Sequence, residues 1–396
     1  MPMSNRFGRL SRGIVAQPFA LYAVGFAIGA VAWSGHLWTL PLSLIMIALL
    51  PPSRTIKNRW LVAAGYFSGA TWTVVPGAAI FYGHDYNPFA IIPLWLGVSF
   101  LLAGPWAILC TGDPKRLLWA VPASLILESI PPLAPLGLAN PLIAAGALFP
   151  YTQWFGLLFL AILATAIAIA PRPTIVMMVS LTLVGLATPD PTPPSNWAAI
   201  NTNFAGEGLD TPDIVRLYTT ARTIQRTALD SHAEVVIFPE SVIYRWNQST
   251  DLFWRRTIDR LQQDGKTLIV GANVDLPGNK QYESVAIVRG AVNSTFKERI
   301  PMPVSMWKPG TGTGVPLHLF GPGVIRLNHQ RVAILVCYEQ LLVWPVIRSL
   351  EERPTLLVGL ANDYWARNTY FPTIQTASVR SWSRLFDIPA LTAVNQ

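Results

Sequence analysis

Arg331-Val332-Ala333-Ile334-Leu335-Val336-Cys337-Tyr338-Glu339 reads as a buried strand that ends on a thiol. Its uninterrupted apolar run suits a strand covered on both faces, as in layered α/β proteins. In such folds the chemistry gathers at the carboxyl ends of the strands, and Cys337 stands at such an end. Two upstream strand ends offer further reactive groups. Glu240 follows Val235-Val236-Ile237-Phe238-Pro239, and Lys297 follows Val292-Asn293-Ser294-Thr295-Phe296. A carboxylate, an amine and a thiol delivered this way are the parts needed for covalent acyl chemistry, so the chain reads as an enzyme.

Around that strand the second half of the sequence alternates strands and helices. Strands are expected at Trp197 to Asn203, Val235 to Phe238, Thr267 to Ala272, Val332 to Val336 and Leu356 to Leu360, with a hairpin from Ser284 to Phe296 turning at Gly290. Helices are expected at Thr211 to Leu229, Leu252 to Asp264 and Leu342 to Leu350. This rhythm predicts α/β layers rather than a bundle or an antiparallel sandwich. There is no P-loop, no Gly-x-Gly-x-x-Gly after a strand and no paired Cys or His at metal spacing, so neither a cofactor nor a metal is expected. Gly310-Thr311-Gly312-Thr313-Gly314 opens no helix and reads as a loop.

The first half differs sharply. Seven apolar runs, near 14–33, 36–50, 60–82, 89–110, 117–130, 146–170 and 173–188, predict a bundle of about seven transmembrane helices over residues 1–188. The Pro-rich stretch Thr188 to Ser195 predicts a stiff linker at 189–195, ahead of a catalytic domain at 196–396. Nine basic residues precede position 190, from Arg6, Arg9 and Arg12 to Arg172, and all fall on one side if seven helices alternate from a cytoplasmic N-terminus. That orientation predicts an inner-membrane protein whose catalytic domain is periplasmic.

The formal charge of +8 divides into +5 before residue 196 and +3 after it, so it reflects topology, and direct nucleic-acid binding is not expected. An unpaired thiol in an oxidising compartment favours a used Cys337 over a merely packed one. Glu128, near the end of the fifth run, is expected to be solvated at the membrane interface.

Phe238-Pro239-Glu240-Ser241, Phe296-Lys297-Glu298-Arg299, Val336-Cys337-Tyr338-Glu339 and Ala361-Asn362-Asp363-Tyr364-Trp365 together resemble the motifs of the nitrilase, or carbon–nitrogen hydrolase, superfamily. Behind so many apolar runs they are most similar to its apolipoprotein N-acyltransferase-like membrane proteins, and within these to a plasmid conjugal-transfer group. The resemblance implies an αββα sandwich and a thioester mechanism. Cys337 would be the nucleophile, Glu240 the general base, and Lys297 the charge that stabilises the oxyanion. Tyr338 and Glu339 would support the thiol, Glu339 by orienting Lys297 or the acceptor amine, unless it is simply a solvated acid at a helix start.

The same resemblance implies membrane phospholipid or another acyl donor, a lipoprotein or other amine acceptor, and the conjugation machinery as partners. One departure stands out. Ser305 occupies the place, eight residues after Lys297, where lipoprotein acyltransferases carry a glutamate. It favours acyl transfer to another amine, or amide hydrolysis, over true apolipoprotein N-acyltransferase activity; a non-catalytic scaffold of the conjugation apparatus is the remaining rival. Trp246 and Trp254, with Met306 and Trp307, lie in apolar loops and are expected to form a route for lipid, or else to be core under a loop.

Overall fold

The computed structural model describes residues 6–204, 214–278 and 280–396, with side chains from residue 18 onward. It divides into two compact units, Met1–Val75 with Asn87–Thr188, and Pro76–Tyr86 with Pro189–Gln396. The first is helical: α1 (Arg6–Ala32), α2 (Ile45–Ala48), α3 (Ile56–Thr71), α4 (Val74–Tyr82, from Pro76 part of the second unit), α5 (Pro88–Leu109), α6 (Pro114–Ser129), α7 (Ala145–Leu148), α8 (Trp154–Ile169) and α9 (Pro171–Ala187).

Three of the seven predicted runs are broken. Residues 36–50 form a 3₁₀ segment, Leu37–Leu44, and the four-residue α2, because prolines at 41, 51 and 52 interrupt an α-helical ladder. The run at 60–82 divides into α3 and α4. Between α7 and α8, Tyr151 and Gln153 take positive φ, which an α-helix cannot pass through. Among the described residues only α5 is both long and apolar enough to cross a membrane; Pro18–Ala32, Leu37–Ala48, Trp154–Ile169 and Pro171–Ala187 are shorter apolar helices.

Within this unit α1 and α3 meet backbone to backbone. A Cβ on Gly25 or Gly29 would lie 2.1 or 2.0 Å from the carbonyl oxygens of Val62 and Tyr66, and Gly65 and Gly69 press reciprocally on Tyr22 and Phe26. This is the close approach that glycine at four-residue spacing permits. Glu128 is not at a solvated interface: it is buried and accepts a hydrogen bond from the Trp106 indole.

The second unit continues with β1 (Trp197–Ala199), α10 (Ile214–Asp230), β2 (Val235–Ile237), α11 (Gln248–Gln263), β3 (Thr267–Asp275), β4 (Lys280–Gly290), β5 (Ser294–Lys297), β6 (Trp307–Lys308), β7 (Thr313–Gly314), β8 (Val324–Leu327), β9 (Gln330–Val336), α12 (Val343–Glu351), β10 (Leu356–Asn362), α13 (Phe371–Phe386) and β11 (Ala390–Asn395). The expected start of α10 at Thr211 lies outside the described residues. One sheet runs β1-β2-β3-β4-β7-β6 with β5 beside β4, and the other runs β11-β10-β9-β8. β1, β2 and β3 are parallel, as are β9, β10 and β11.

The two sheets pack face to face. Val235, Ile237, Ile269 and Phe296 from the first meet Val332, Ile334, Val336 and Leu360 from the second. The alternate residues of the first sheet, Val236, Leu268 and Val270, turn outward onto Ile224 of α10 and Trp254 and Leu261 of α11. With α12 and α13 against the second sheet, this gives the expected αββα order. The Pro-rich stretch is anchored rather than free, since Asp190 accepts hydrogen bonds from Arg380 and Arg384 of α13.

Candidate active site

β9 feeds directly into the residue that matters most. Cys337 follows its last residue with φ of +44°, a left-handed conformation that costs energy in any residue bearing a Cβ, and so turns the chain sharply at the sheet edge. The thiol is nearly buried. It lies beside the carboxyl of Glu240, which the turn after β2 delivers from the facing sheet, so that each group acts on the other's ionisation. Glu240 Oε2 also accepts from the backbone N–H of Asn362, 3.1 Å away at the end of β10.

The path of Glu240 is set by a glycine. A Cβ on Gly271 of β3 would sit 2.3 Å from the Glu240 Cα and 2.5 Å from the Pro239 oxygen, so only glycine admits this backbone crossing. Burial pushes Glu240 up to about 7, partly offset by the neighbouring Cys337 thiol and the bond from Asn362. Burial also raises the Cys337 thiol well above its usual value, reinforced by the charges of Glu240, Asp363 and Glu298. The thiol thus lies beside a carboxyl that gains and loses its proton near neutral pH, as a general base must.

Lys297 is not in this group. It forms an ion pair with Glu283 at 3.0 Å, its side chain 55% exposed, while His318 Nε2 reaches the other oxygen of Glu283 at 3.0 Å. The alternation of a strand explains the outcome. Phe296 opposes Ala286 and fills the space between the sheets, whereas Lys297 opposes Val285, which packs on the helix side. The strand thus turns Lys297 away from the thiol, beside a cleft of about 580 Å³ also lined by His318, Phe320 and Ile325.

Two positions after Phe296, Glu298 returns to the inner face. It is fully buried, and neither carboxylate oxygen accepts a hydrogen bond from a described residue. The Ser284 hydroxyl lies beside it and favours the charged form, at a geometry short of a hydrogen bond. Asp363, from the loop after β10, is also fully buried, and neither of its oxygens has a hydrogen-bond partner among the described residues. Burial holds both acids well above the usual carboxylate range, and the charge of Glu240 adds to this.

Gln375 of α13 completes the surround, its Nε2 donating to the Cys337 carbonyl at 3.0 Å and lying 3.9 Å from Sγ. None of these three was singled out as a site residue from sequence. For Glu298 the period-two rule applied to Phe296 would have sufficed; Gln375 lies on α13, a helix not among those expected, although buried Phe371, Ile374, Ser378, Trp382 and Leu385 recur along it at helical spacing.

Glu339 neither orients Lys297 nor meets solvent. It is fully buried against Arg299, with Oε1 accepting from the Arg299 and Ile300 backbone N–H groups at 2.6 and 3.1 Å and Oε2 from Val336 N–H at 3.2 Å and Arg299 Nη2 at 3.1 Å. Arg299 further donates to the Pro345 carbonyl and the Ser349 hydroxyl. Tyr338 is buried beside the thiol.

Trp246 and Trp254 are core, not a lipid route. Both belong to the cluster under α10 and α11, their rings 5.5 Å apart, and neither has surface to offer an acyl chain. Met306 and Trp307 are half-buried in a tight turn in which both backbone N–H groups donate to the Met302 carbonyl at 3.0 Å. Ser305 lies in the same turn and donates to that carbonyl.

No protein-family model matches the chain. It is 31% identical to the conjugal transfer protein TraB of Agrobacterium fabrum, over 95% of this chain and 92% of that one. It is 30% identical to the "Probable conjugal transfer protein TraB" of Sinorhizobium fredii, over 96% and 98% of the two chains. Among solved structures, an amidase from Nesterenkonia sp. aligns with 41% of this chain and 63% of its own at 16% identity and a TM-score of 0.29. The glutamine-dependent NAD+ synthetase of Acinetobacter baumannii aligns with 41% and 31%, at 13% identity and a TM-score of 0.30. Both structural likenesses are too slight to carry function.

Proposed function

The chain belongs to the family of conjugal transfer protein TraB, and from that premise we propose that it is a cysteine enzyme of the carbon–nitrogen hydrolase type that supports plasmid conjugation through a thioester on Cys337. The observation that carries this reading is the placing of the Glu240 carboxyl beside the Cys337 thiol at the left-handed turn after β9. Glu240, at about 7, takes the thiol proton as sulfur attacks an acyl carbonyl. The same carboxyl returns that proton to the leaving group, an amine from an amide or an alcohol from an ester. The thioester is then resolved by an amine or by water, with the thiol regenerated. Oxyanion stabilisation by Lys297 is not part of this reading, because Lys297 is held by Glu283.

We further place the first unit in the inner membrane and the second on its periplasmic side. Support comes from the apolar helices, whose Phe89, Phe155, Val176 and Leu183 are exposed as lipid-facing residues are. A phospholipid donor fits that location. The test is conjugation frequency in cells carrying Cys337→Ala at unchanged protein level, with intact-mass analysis of purified protein offered phospholipid. Loss of transfer and an acyl adduct on Cys337 are expected. Normal transfer with the alanine variant would instead make the chain a scaffold.

A further inference from the structure

A thiol that attacks a carbonyl needs a hydrogen-bond donor where the negative oxygen forms, and Lys297 is held on Glu283, facing away from Cys337. Three other donors in this region are committed elsewhere. Asn362 N–H is on Glu240, Arg299 is on Glu339, and Gln340 Nε2 is on the carbonyls of Leu335 and Leu360 at 3.4 and 3.1 Å. Gln375 differs. Its Nε2 donates to the Cys337 carbonyl at 3.0 Å and is also 3.9 Å from Cys337 Sγ, within reach of a sulfur acceptor.

A primary amide carries two N–H donors on one nitrogen. One meets the Cys337 carbonyl, and the other is left for the sulfur side. The reverse orientation of the amide would set Oε1 against the Cys337 carbonyl oxygen, acceptor against acceptor, so the geometry fixes which end is at the thiol. The side chain is also held still. Gln375 is 1% exposed on α13, whose Ser378 hydroxyl donates to the Gln340 carbonyl at 2.6 Å and whose Arg380 and Arg384 donate to Asp190. A donor fixed in advance and shielded from water stabilises a developing charge most.

We infer that Gln375 is a catalytic residue whose second amide N–H binds the oxyanion formed when Cys337 attacks an acyl carbonyl. The inference rests on the proposed function and supplies the donor that Lys297 does not. Attack places the negative oxygen one carbon away from Sγ, so a nitrogen 3.9 Å from sulfur can stand ~2.7–3.1 Å from that oxygen. The electrons balance. Sulfur forms a bond to the acyl carbon, the carbonyl π pair moves onto oxygen, and Glu240 takes the thiol proton. The pair on oxygen then re-forms the double bond as the leaving group departs with the proton from Glu240, and the thioester remains. The amide neither gains nor loses a proton, so it serves the breakdown of the thioester in the same way.

The test compares two reactions of the same thiol. p-Nitrophenyl acetate acylates Cys337 through an oxyanion, whereas iodoacetamide alkylates it by displacing iodide at a saturated carbon and forms none. Full-length protein in detergent is treated with each reagent at pH 8. Acylation is read from the burst of p-nitrophenolate, with the adduct on Cys337 checked by peptide mass, and alkylation from peptide mass alone. The acylation rate is then divided by the alkylation rate, so that changes in thiol ionisation cancel.

Gln375→Met keeps the length of the side chain and removes both donors. It should lower the ratio about a hundredfold, the scale of losing one oxyanion donor, while Lys297→Ala leaves the ratio unchanged. A fall of less than about tenfold in Gln375→Met, including equal slowing of both reactions, would reduce Gln375 to a support for the turn and overturn the inference. A fall of about tenfold or more in Lys297→Ala would give the oxyanion to Lys297 and overturn it as well. Lys297 is half-exposed, so this second arm stands even if Gln375→Met does not fold. An unaltered protein that is alkylated but never acylated at Cys337 would refute the proposed function, and the inference with it.

Discussion

Replacing Glu339 by Gln keeps the side chain's size and changes only what its two terminal atoms can do. In the structure the carboxylate accepts from three backbone N–H groups and from the Arg299 guanidinium, with no exposure to water. An amide can serve the Arg299 and Ile300 N–H groups through its oxygen, but its NH₂ then faces Val336 N–H and Arg299 Nη2, donor against donor. Breaking a buried charge pair this way costs about 3–5 kcal/mol. For a unit of this size each kcal/mol lowers the melting temperature by about 2–4 °C, so a fall of about 6–20 °C is expected.

The assay is thermal unfolding of the full-length protein in detergent, read by tryptophan fluorescence at one protein and detergent concentration. Substituting both partners with apolar residues, Glu339→Leu with Arg299→Met, should not recover the loss. The three backbone donors would still lack an acceptor, at about 1–3 kcal/mol each. A shift under about 2 °C for Glu339→Gln, or full recovery in the double variant, would refute the idea that this carboxylate is the common acceptor joining the loop after β5 to the turn at Cys337.

Four further outcomes concern the site. Alkylation of Cys337 by iodoacetamide should rise as pH passes through about 7, because Glu240 accepts the thiol proton only once it has lost its own, and should lose that rise in Glu240→Gln; an unchanged profile would remove Glu240 as the base. For stability the sign is opposite. A raised carboxyl opposes folding increasingly as pH climbs from the ordinary carboxylate range to about 7, so Glu240→Gln should stabilise the protein above neutrality, checked by melting at pH 8. Gly271→Ala should slow alkylation at pH 7 about as much as Glu240→Gln although residue 271 carries no reactive group, since the new methyl displaces the Glu240 backbone. Lys297→Ala should leave the alkylation rate within about twofold, since its half-exposed ammonium is held on Glu283 away from the thiol; a tenfold loss would mean that Lys297 reaches the thiol in solution.

Much of the second unit was legible because its strands are short apolar runs whose ends carry the chemistry. The strand before Cys337, the placing of Glu240 and the hairpin at Gly290 all follow from local pattern. Lys297 shows where such reading stops. A motif places a residue along the chain, whereas the face it occupies depends on which neighbour takes the core, and Phe296 took it. Trp246 and Trp254 were ambiguous for a related reason: aromatic side chains suit a lipid surface and a protein interior equally well, and only the neighbours on α10 and α11 decide. Glu339 looked like a surface acid because its partner, Arg299, is 40 positions away. In the first unit hydrophobicity marked the segments, but Pro41 and the positive φ at Tyr151 and Gln153 cut what composition alone had joined.

The three residues between Gly290 and Ser294 set the phase of β5 against β4. Because neighbouring side chains point oppositely, inserting or removing one residue in that short bend would exchange Lys297 and Glu298 across the sheet. An ammonium would then stand on the inner face where a carboxyl does now, reversing the local charge with no substitution on that face. The length of a solvent-exposed hairpin can thus govern which reaction the fold supports, and an indel there offers descendants a route to new chemistry.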